Sequence, residues 1–455
     1  MQLKAKLQTI LGAVVLMGML FTGCSTGEAP APVEPTEEPV AEDAKESLYF
    51  WYTDESMTDY ISSAAVAFGE KNNVRVIPKL AGDSAYLEAI NEATLHGEQM
   101  PDAYLISNDS LEKAYLAGLA VEVDDINSIM NSNTFPETAL EAVTYKNNRV
   151  GYPLFFETSV LLYNETYLQE WALQQAKREA ESVGVEYDEA TLQTRQNEIM
   201  ANIVPVTMDE VLSMANSFDP PETVEGIFKW DVSDIFYNYY IIGNYMNVGG
   251  EYGDDNTIVN INNPETIACL EVYKALNQFF YIESDTVTYE SVMRDFIDGK
   301  LVFTIATTDA IATIEKAKEE GSFAYDYGVA LIPNPSSELQ GRSLSVTNAI
   351  AINGYSKKQE LANRFAAFLT NDYVGEMYLR SGRVAANLKA DTDNGALQIF
   401  KEEYAKSISL PKMMETGNFW VQLEILFSKV WNGGDVPTLV AELAAQIESQ
   451  VNAGQ

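Results

Sequence analysis

Few residue types in this chain could do chemistry. His96 is the only histidine in 455 residues, so neither a Ser-His-Asp triad nor a histidine-based metal cluster can be assembled. It stands in the polar run LHGEQ and reads as a surface residue at a helix end. P-loop, G-x-G-x-x-G and H-E-x-x-H patterns are all missing from the sequence. The acid- and amide-rich stretch 253–265 lacks calcium-loop spacing and reads as a hairpin. That leaves carboxylates and aromatic rings. In GYPLFFETSVLLYNETYL, residues 151–168, a lone carboxylate, Glu157, stands among Tyr152, Phe155, Phe156 and Tyr163. Three readings are open for it: a core oddity, a catalytic acid, or a hydrogen-bond acceptor for a polar guest. Paired with Asp54 or Glu55 it could serve glycoside hydrolysis, which needs two carboxyl groups about 5–9 Å apart. With 67 acidic residues some such pair can always be named, so the pattern discriminates weakly.

Aromatic rings are abundant: five Trp, 25 Tyr and 19 Phe, several near strand ends and turns. FKWDVSDIFYNYYIIGNYMNVGGEY interleaves Trp230, Phe236, Tyr237, Tyr239, Tyr240 and Tyr245 with Asn and Asp, and TGNFWVQLE places Trp420 near a helix start. Flat rings beside carboxylates and amides suit a guest with apolar faces and hydroxyl edges, which describes a sugar. For any single ring, core packing is the simpler reading; only the combination favours a site.

The elements that would position these groups alternate between strand and helix patterns from Leu48 onward, which predicts an α/β fold. SLYFWYTD reads as a buried strand, and the following helix turns Ile61, Ala64, Ala65 and Phe68 to one face. VRVIPKL is a second strand, and a third ends near Ser107. Ligands in such sheets sit beyond the carboxyl ends of the strands, here residues 53–56 and 107–110. VGYPLFFE, KLVFTIATTD, YGVALIPN and SVTNAIAINGY read as later strands. KKQELANRFAAFLTN and PTLVAELAAQIESQV read as helices, the second with Pro437 in its first turn. Residues 169–204, rich in Gln, Glu, Ala and Arg with weak periodicity, read as an insert of one or two solvent-facing helices, decoration on an outer face or a partner surface.

The address is written at the N-terminus. Lys4 and Lys6, an apolar run to Phe21, then small residues before Cys24 make a secretory signal, residues 1–23. That run is shorter than the roughly 20 residues of a membrane span. The LFTGCS ending resembles a bacterial lipobox, which makes Cys24 the lipid-bearing residue. Residues 24–46 hold four prolines and seven carboxylates against one lysine, a tether that cannot bury enough surface to fold. Cys269 is then the only other cysteine, so the body has no internal disulfide. A formal charge of −38 repels nucleic acid and anionic lipid, leaving the lipid as the only membrane attachment.

PDAYLISND, GYPLFFETSVLLYNETYL, TMDEVL, YMNVGGEY, FIDGKLVFTIATTDA, YGVALIPNP and NAIAINGYSKKQELANRFAAFLT, in this order behind a lipobox, resemble family 1 of the extracellular solute-binding proteins of ABC importers. The resemblance runs from about Leu48 to the C-terminus without the insert. It implies a type II periplasmic-binding-protein fold, two α/β lobes joined by hinge strands near 151–155, 327–333 and 369–373. It divides the chain into lobe 1 at 47–153 and 331–371, and lobe 2 at 154–330 and 372–455. It implies a monomeric binding protein, not an enzyme, that needs no cofactor or metal and delivers a carbohydrate to permease subunits. By resemblance Glu157 accepts sugar hydroxyls and Trp420 stacks. Trp51, Asp54, Glu55 and Asp109 lie where the family makes polar contacts. Tyr237, Tyr239 and Tyr240 lie where it supplies an aromatic contact, with Trp230 as a further stacking ring. Ile106, Ser110 and Asp309 depart from the maltodextrin pattern, which has Trp, Arg and Trp there. Linear α-glucans are thereby disfavoured, while Asp309 adds an acceptor. Alternatives left open are a peptide or cationic solute, a surface enzyme on polysaccharide, and a sensory or adhesive lipoprotein without an importer.

Overall fold

The computed structural model describes residues 45–453, except 83, 98, 415 and 416. The signal, Cys24 and nearly all of the tether lie outside the described residues. Among the described residues no helix is long and apolar enough to cross a membrane.

SLYFWY suits a strand covered on both faces and forms β1 (Ser47–Tyr52), parallel to β2 (Arg75–Leu80) and β3 (Ala103–Ser107). Pro78 is tolerated because β2 is an edge strand. β4 (Tyr152–Thr158) and β5 (Val160–Asn164) are separated by Ser159 alone, yet belong to different sheets. β5 joins β6 (Gly226–Phe228), β7 (Leu301–Ala306) and β8 (Tyr327–Ala330) in a four-stranded sheet of order β8-β5-β7-β6. β9 (Leu344–Ile352) returns to the first sheet, where it pairs antiparallel with β3 and β4 and parallel with β10 (Ile408–Ser409). The six-stranded sheet and the four-stranded sheet each carry a separate apolar core, so this part of the chain is two-lobed.

The chain crosses between lobes at Ser159, between β8 and β9, and after β10. These crossings correct the expected hinges. Residues 151–155 sit on the first sheet side, short of the crossing, and 327–330 form a strand of the second sheet. Residues 368–372 form a helical turn inside the first core, where Tyr60 Oη donates to the Leu369 carbonyl at 2.6 Å. Val374, Met377, Val384, Leu397, Phe400 and Tyr404 also belong to that core, so the assignment of all of 372–455 to the second lobe is wrong as far as β10. Helical periodicity reports that a face is buried, not against which core.

The insert forms two helices: Glu165–Ser182 buries Tyr167, Leu168, Ala172, Ala176 and Ala180, whereas Glu189–Met200 buries nothing. The second helix lies on the first through Arg195, which grips Glu179 with two nitrogens. The acid-rich stretch is half of a hairpin, Asp255–Asn260 against Asn247–Gly249. Cys269 is fully buried in the helix Pro264–Phe280, and burial pushes its thiol up to about 12.

One glycine ties the second lobe to the β8–β9 crossing. A Cβ on Gly243 would overlap the Arg342 carbonyl oxygen, a backbone atom held in place because Arg342 N donates to the Tyr240 carbonyl at 3.0 Å. Gly243→Ala is expected to cost about 1–3 kcal/mol, as overpacking does. Urea unfolding measures it, and a midpoint equal to wild type would show that the crossing yields freely.

Candidate functional site

The carboxyl ends of β1, β3 and β7 face a cleft of about 790 Å³ between the lobes. From the first lobe it is lined by Thr53, Asp54, Tyr86, Ile106, Ser107, Phe155, Glu157, Asn348 and Arg383. Phe236, Tyr289, Thr307 and Asp309 line it from the second. This is where doubly wound sheets place ligands.

Arg383 organises the charge. Gly382 ends the short helix Met377–Ser381 in the left-handed region, φ +70°, which turns the chain so that Arg383 enters the cleft. Its Nε and Nη2 each lie 2.8 Å from Asp54 Oδ2, and its Nη1 donates to Glu157 Oε1. The guanidinium also lies 5.6 Å from the Phe155 ring centroid. Asp54 is fixed independently, because its other oxygen caps the turn Glu55–Met57 by accepting from Ser56 N at 3.0 Å. Glu157, at the end of β4, accepts from Thr308 of the second lobe on its other oxygen. Asp54, Arg383, Glu157 and Thr308 thus form a polar chain across the first crossing. Burial raises the Glu157 carboxyl above its ordinary range, against the opposing pull of Arg383 and the Thr308 hydrogen bond.

The second lobe supplies rings. Tyr289 stacks on Tyr237 at 4.9 Å and 16°, and its hydroxyl donates to Asp309 Oδ1 at 3.0 Å. Thr307 Oγ1 donates to the same oxygen. Burial raises the Tyr289 hydroxyl well above 10, so it remains a donor. Phe236 lies 6.3 Å from Trp420, whose Nε1 donates to Glu424 at 2.8 Å. Trp420 lines an adjoining recess of about 280 Å³ with Asp109, Pro411 and Met414. Ser110 and Lys113 line both spaces.

Of the residues selected from sequence, Asp54, Glu157 and Asp309 meet in the cleft, and Asp109 and Trp420 in the recess. Ile106 and Ser110, two of the departures from the maltodextrin pattern, also line the cleft. Five selected rings line neither space. Trp230 is fully buried, stacked on Phe228 at 4.6 Å. Trp51 is 4% exposed, with Lys79 Nζ 3.5 Å from its ring centroid. Tyr239 and Tyr240 are core residues of the second lobe. Tyr237 backs Tyr289, and Glu55 is exposed in the turn outside the lining. Sequence reasoning missed Arg383, Thr308, Asn348 and Tyr289. SGRVAAN carries a lone arginine after a glycine, a signal too common to use without the partners that fold beside it. Among the described residues no group of three or more His, Cys, Asp or Glu side chains could hold a metal ion.

Residues 63–405 match a family described as bacterial extracellular solute-binding protein. Solved structures agree in fold. The extracellular solute-binding protein from Staphylococcus aureus in complex with maltose is 18% identical, with a TM-score of 0.72, over 91% of this chain and 100% of that one. The maltose-binding periplasmic protein from Listeria monocytogenes with maltose is 19% identical, with a TM-score of 0.70, over 90% and 99%. Thermus thermophilus maltotriose binding protein with maltotriose is 18% identical, with a TM-score of 0.64, over 88% and 99%. No curated protein matches the sequence.

Proposed function

The chain belongs to the bacterial extracellular solute-binding proteins, and on that premise we propose that it captures an uncharged carbohydrate and delivers it to the permease of an ABC importer. One observation carries the choice of ligand: the interlobe cleft joins ring faces, Phe155, Phe236 and Tyr289, to a polar network of Arg383, Asp54, Glu157 and Asp309. Sugar C–H faces stack on such rings, while the free lone pairs of the carboxylates and the spare guanidinium N–H groups take hydroxyls. The recess beside Trp420 extends the lining beyond one sugar ring, which suits an oligosaccharide. The similar proteins from Staphylococcus aureus, Listeria monocytogenes and Thermus thermophilus hold maltose or maltotriose. The lobes close about the crossings at Ser159, between β8 and β9 and after β10, a hinge motion. Cys24 carries the lipid that holds the body outside the cell membrane, with residues 24–46 as tether.

A thermal-shift screen of residues 45–455 against neutral oligosaccharides, peptides and polyamines tests this reading. A true ligand at 100 times its Kd adds about 2.7 kcal/mol and is recovered unchanged. Trp420→Ala is expected to weaken that ligand by about 1 kcal/mol, roughly fivefold in Kd, through loss of one stacking ring. A response confined to peptides or polyamines overturns the carbohydrate reading, and cleavage of the sugar would reveal an enzyme.

A further inference from the structure

We propose that Arg383 is a built-in counter-cation that makes the cleft select uncharged ligands and reject cationic ones. This rests on reading the cleft as a carbohydrate site and says how a protein of charge −38 keeps the carboxylates of that site from serving as a cation receptor. Among the described residues four carboxylates line the cleft, Asp54, Glu88, Glu157 and Asp309, and each already has a partner from the chain. Asp54 and Glu157 share Arg383, Glu88 pairs with Lys113, and Asp309 accepts from Tyr289 and Thr307.

The pairing of Asp54 and Glu157 is the decisive one. Both side chains are about one-fifth exposed and Arg383 about one-quarter, so the three are partly withdrawn from water without being sealed off. A planar guanidinium reaching one carboxylate with two nitrogens and another with its third satisfies both at once. A dissolved ammonium would have to displace a cation that is tethered covalently and therefore always present, an intramolecular advantage no free solute matches. Phe155 holds the guanidinium from a further side by cation–π contact. The second N–H of each η nitrogen stays available to a hydroxyl, so the same residue that excludes cations can donate to a neutral guest.

Calorimetric titration with spermidine and with trigalacturonate separates the cases. Wild type is expected to bind neither. Arg383→Met leaves Asp54 and Glu157 unpaired and is expected to bind spermidine at least tenfold more tightly than wild type, whereas Arg383→Lys keeps the exclusion. Asp54→Asn with Glu157→Gln leaves the guanidinium unpaired and is expected to gain trigalacturonate by a similar factor, which serves as the test should the Met variant not fold. Spermidine binding by wild type, or no gain of charged ligand in a folded variant, overturns the proposal. The neutral-sugar screen on wild type judges the carbohydrate reading separately: silence there alongside the predicted charge gains would leave Arg383 as a cation filter in a site for another neutral solute.

Discussion

Trp230→Ala is expected to lower the stability of the second lobe by about 3–5 kcal/mol, the range for truncating a large buried aromatic. The ring is fully buried, stacked on Phe228 at 4.6 Å and edge-on to Phe280 and Trp431 at 6.1 and 5.6 Å. Its Nε1 donates to Asn238 Oδ1 at 2.8 Å. Asn238 Nδ2 in turn donates to the carbonyls of Asp231 and Asp234, at 2.9 and 2.6 Å. Asp234 caps the turn Ile235–Tyr237, which carries Phe236 to the cleft and Tyr237 behind Tyr289. Trp230 therefore holds the binding rings without being one. Trp230→Phe keeps most of the apolar volume but leaves Asn238 Oδ1 without its donor, and is expected to cost about 1–3 kcal/mol. Urea unfolding read alongside ligand-induced thermal shift separates the two roles. The Phe variant is expected to unfold earlier and still respond to ligand. A variant that unfolds like wild type but loses ligand would make Trp230 a stacking residue after all.

That contrast shows what a sequence can and cannot reveal about this site. Glu157 was legible because a carboxylate inside an apolar strand run has to be paid attention on energetic grounds: burying it requires partners. The partners were not legible. Arg383 lies 226 residues from Glu157 and 329 from Asp54, and nothing in its neighbours announces the pairing. Trp51 misled because β1 is a central strand covered on both faces, so strand alternation gives no inside and outside to choose between. The Tyr-rich segment misled for a different reason. Residues 235–241 form two short 3-10 turns, too brief for any periodicity to say which rings turn inward. The doubly wound opening was legible, because strand, helix, strand, helix, strand within 47–107 admits few arrangements. The third crossing was not, since helices 359–406 have ordinary apolar faces that would serve either core.

Lys412 is expected to give the protein a pH-dependent gain in stability that Lys412→Met removes. It lies just after β10, on the third crossing, and is 2% exposed. Its Nζ donates to the Glu141 carbonyl of the first lobe at 3.0 Å and to the Tyr252 carbonyl in the second-lobe hairpin. Its backbone N–H donates to the Gly253 carbonyl at 2.7 Å. Among the described residues no carboxylate oxygen is bonded to the ammonium, and burial lowers its pKa from 10.5 to about 8, although Asp254 and Glu141 pull it upward. The sign follows from proton counts. Between pH 8 and 10.5 the unfolded chain keeps this proton and the folded chain releases it, so folding stability rises with pH. For that separation the rise is roughly 3 kcal/mol. Below pH 8 both states hold the proton and the contribution is flat. Lys401, also buried and lowered to about 8, and the large negative charge act equally in wild type and variant, so they cancel in the difference. Denaturant unfolding of both proteins from pH 7 to 10.5 is the measurement: the gap should move in favour of wild type above pH 8. Parallel curves would mean that the ammonium keeps its proton throughout, held by both lobes strongly enough to offset its burial.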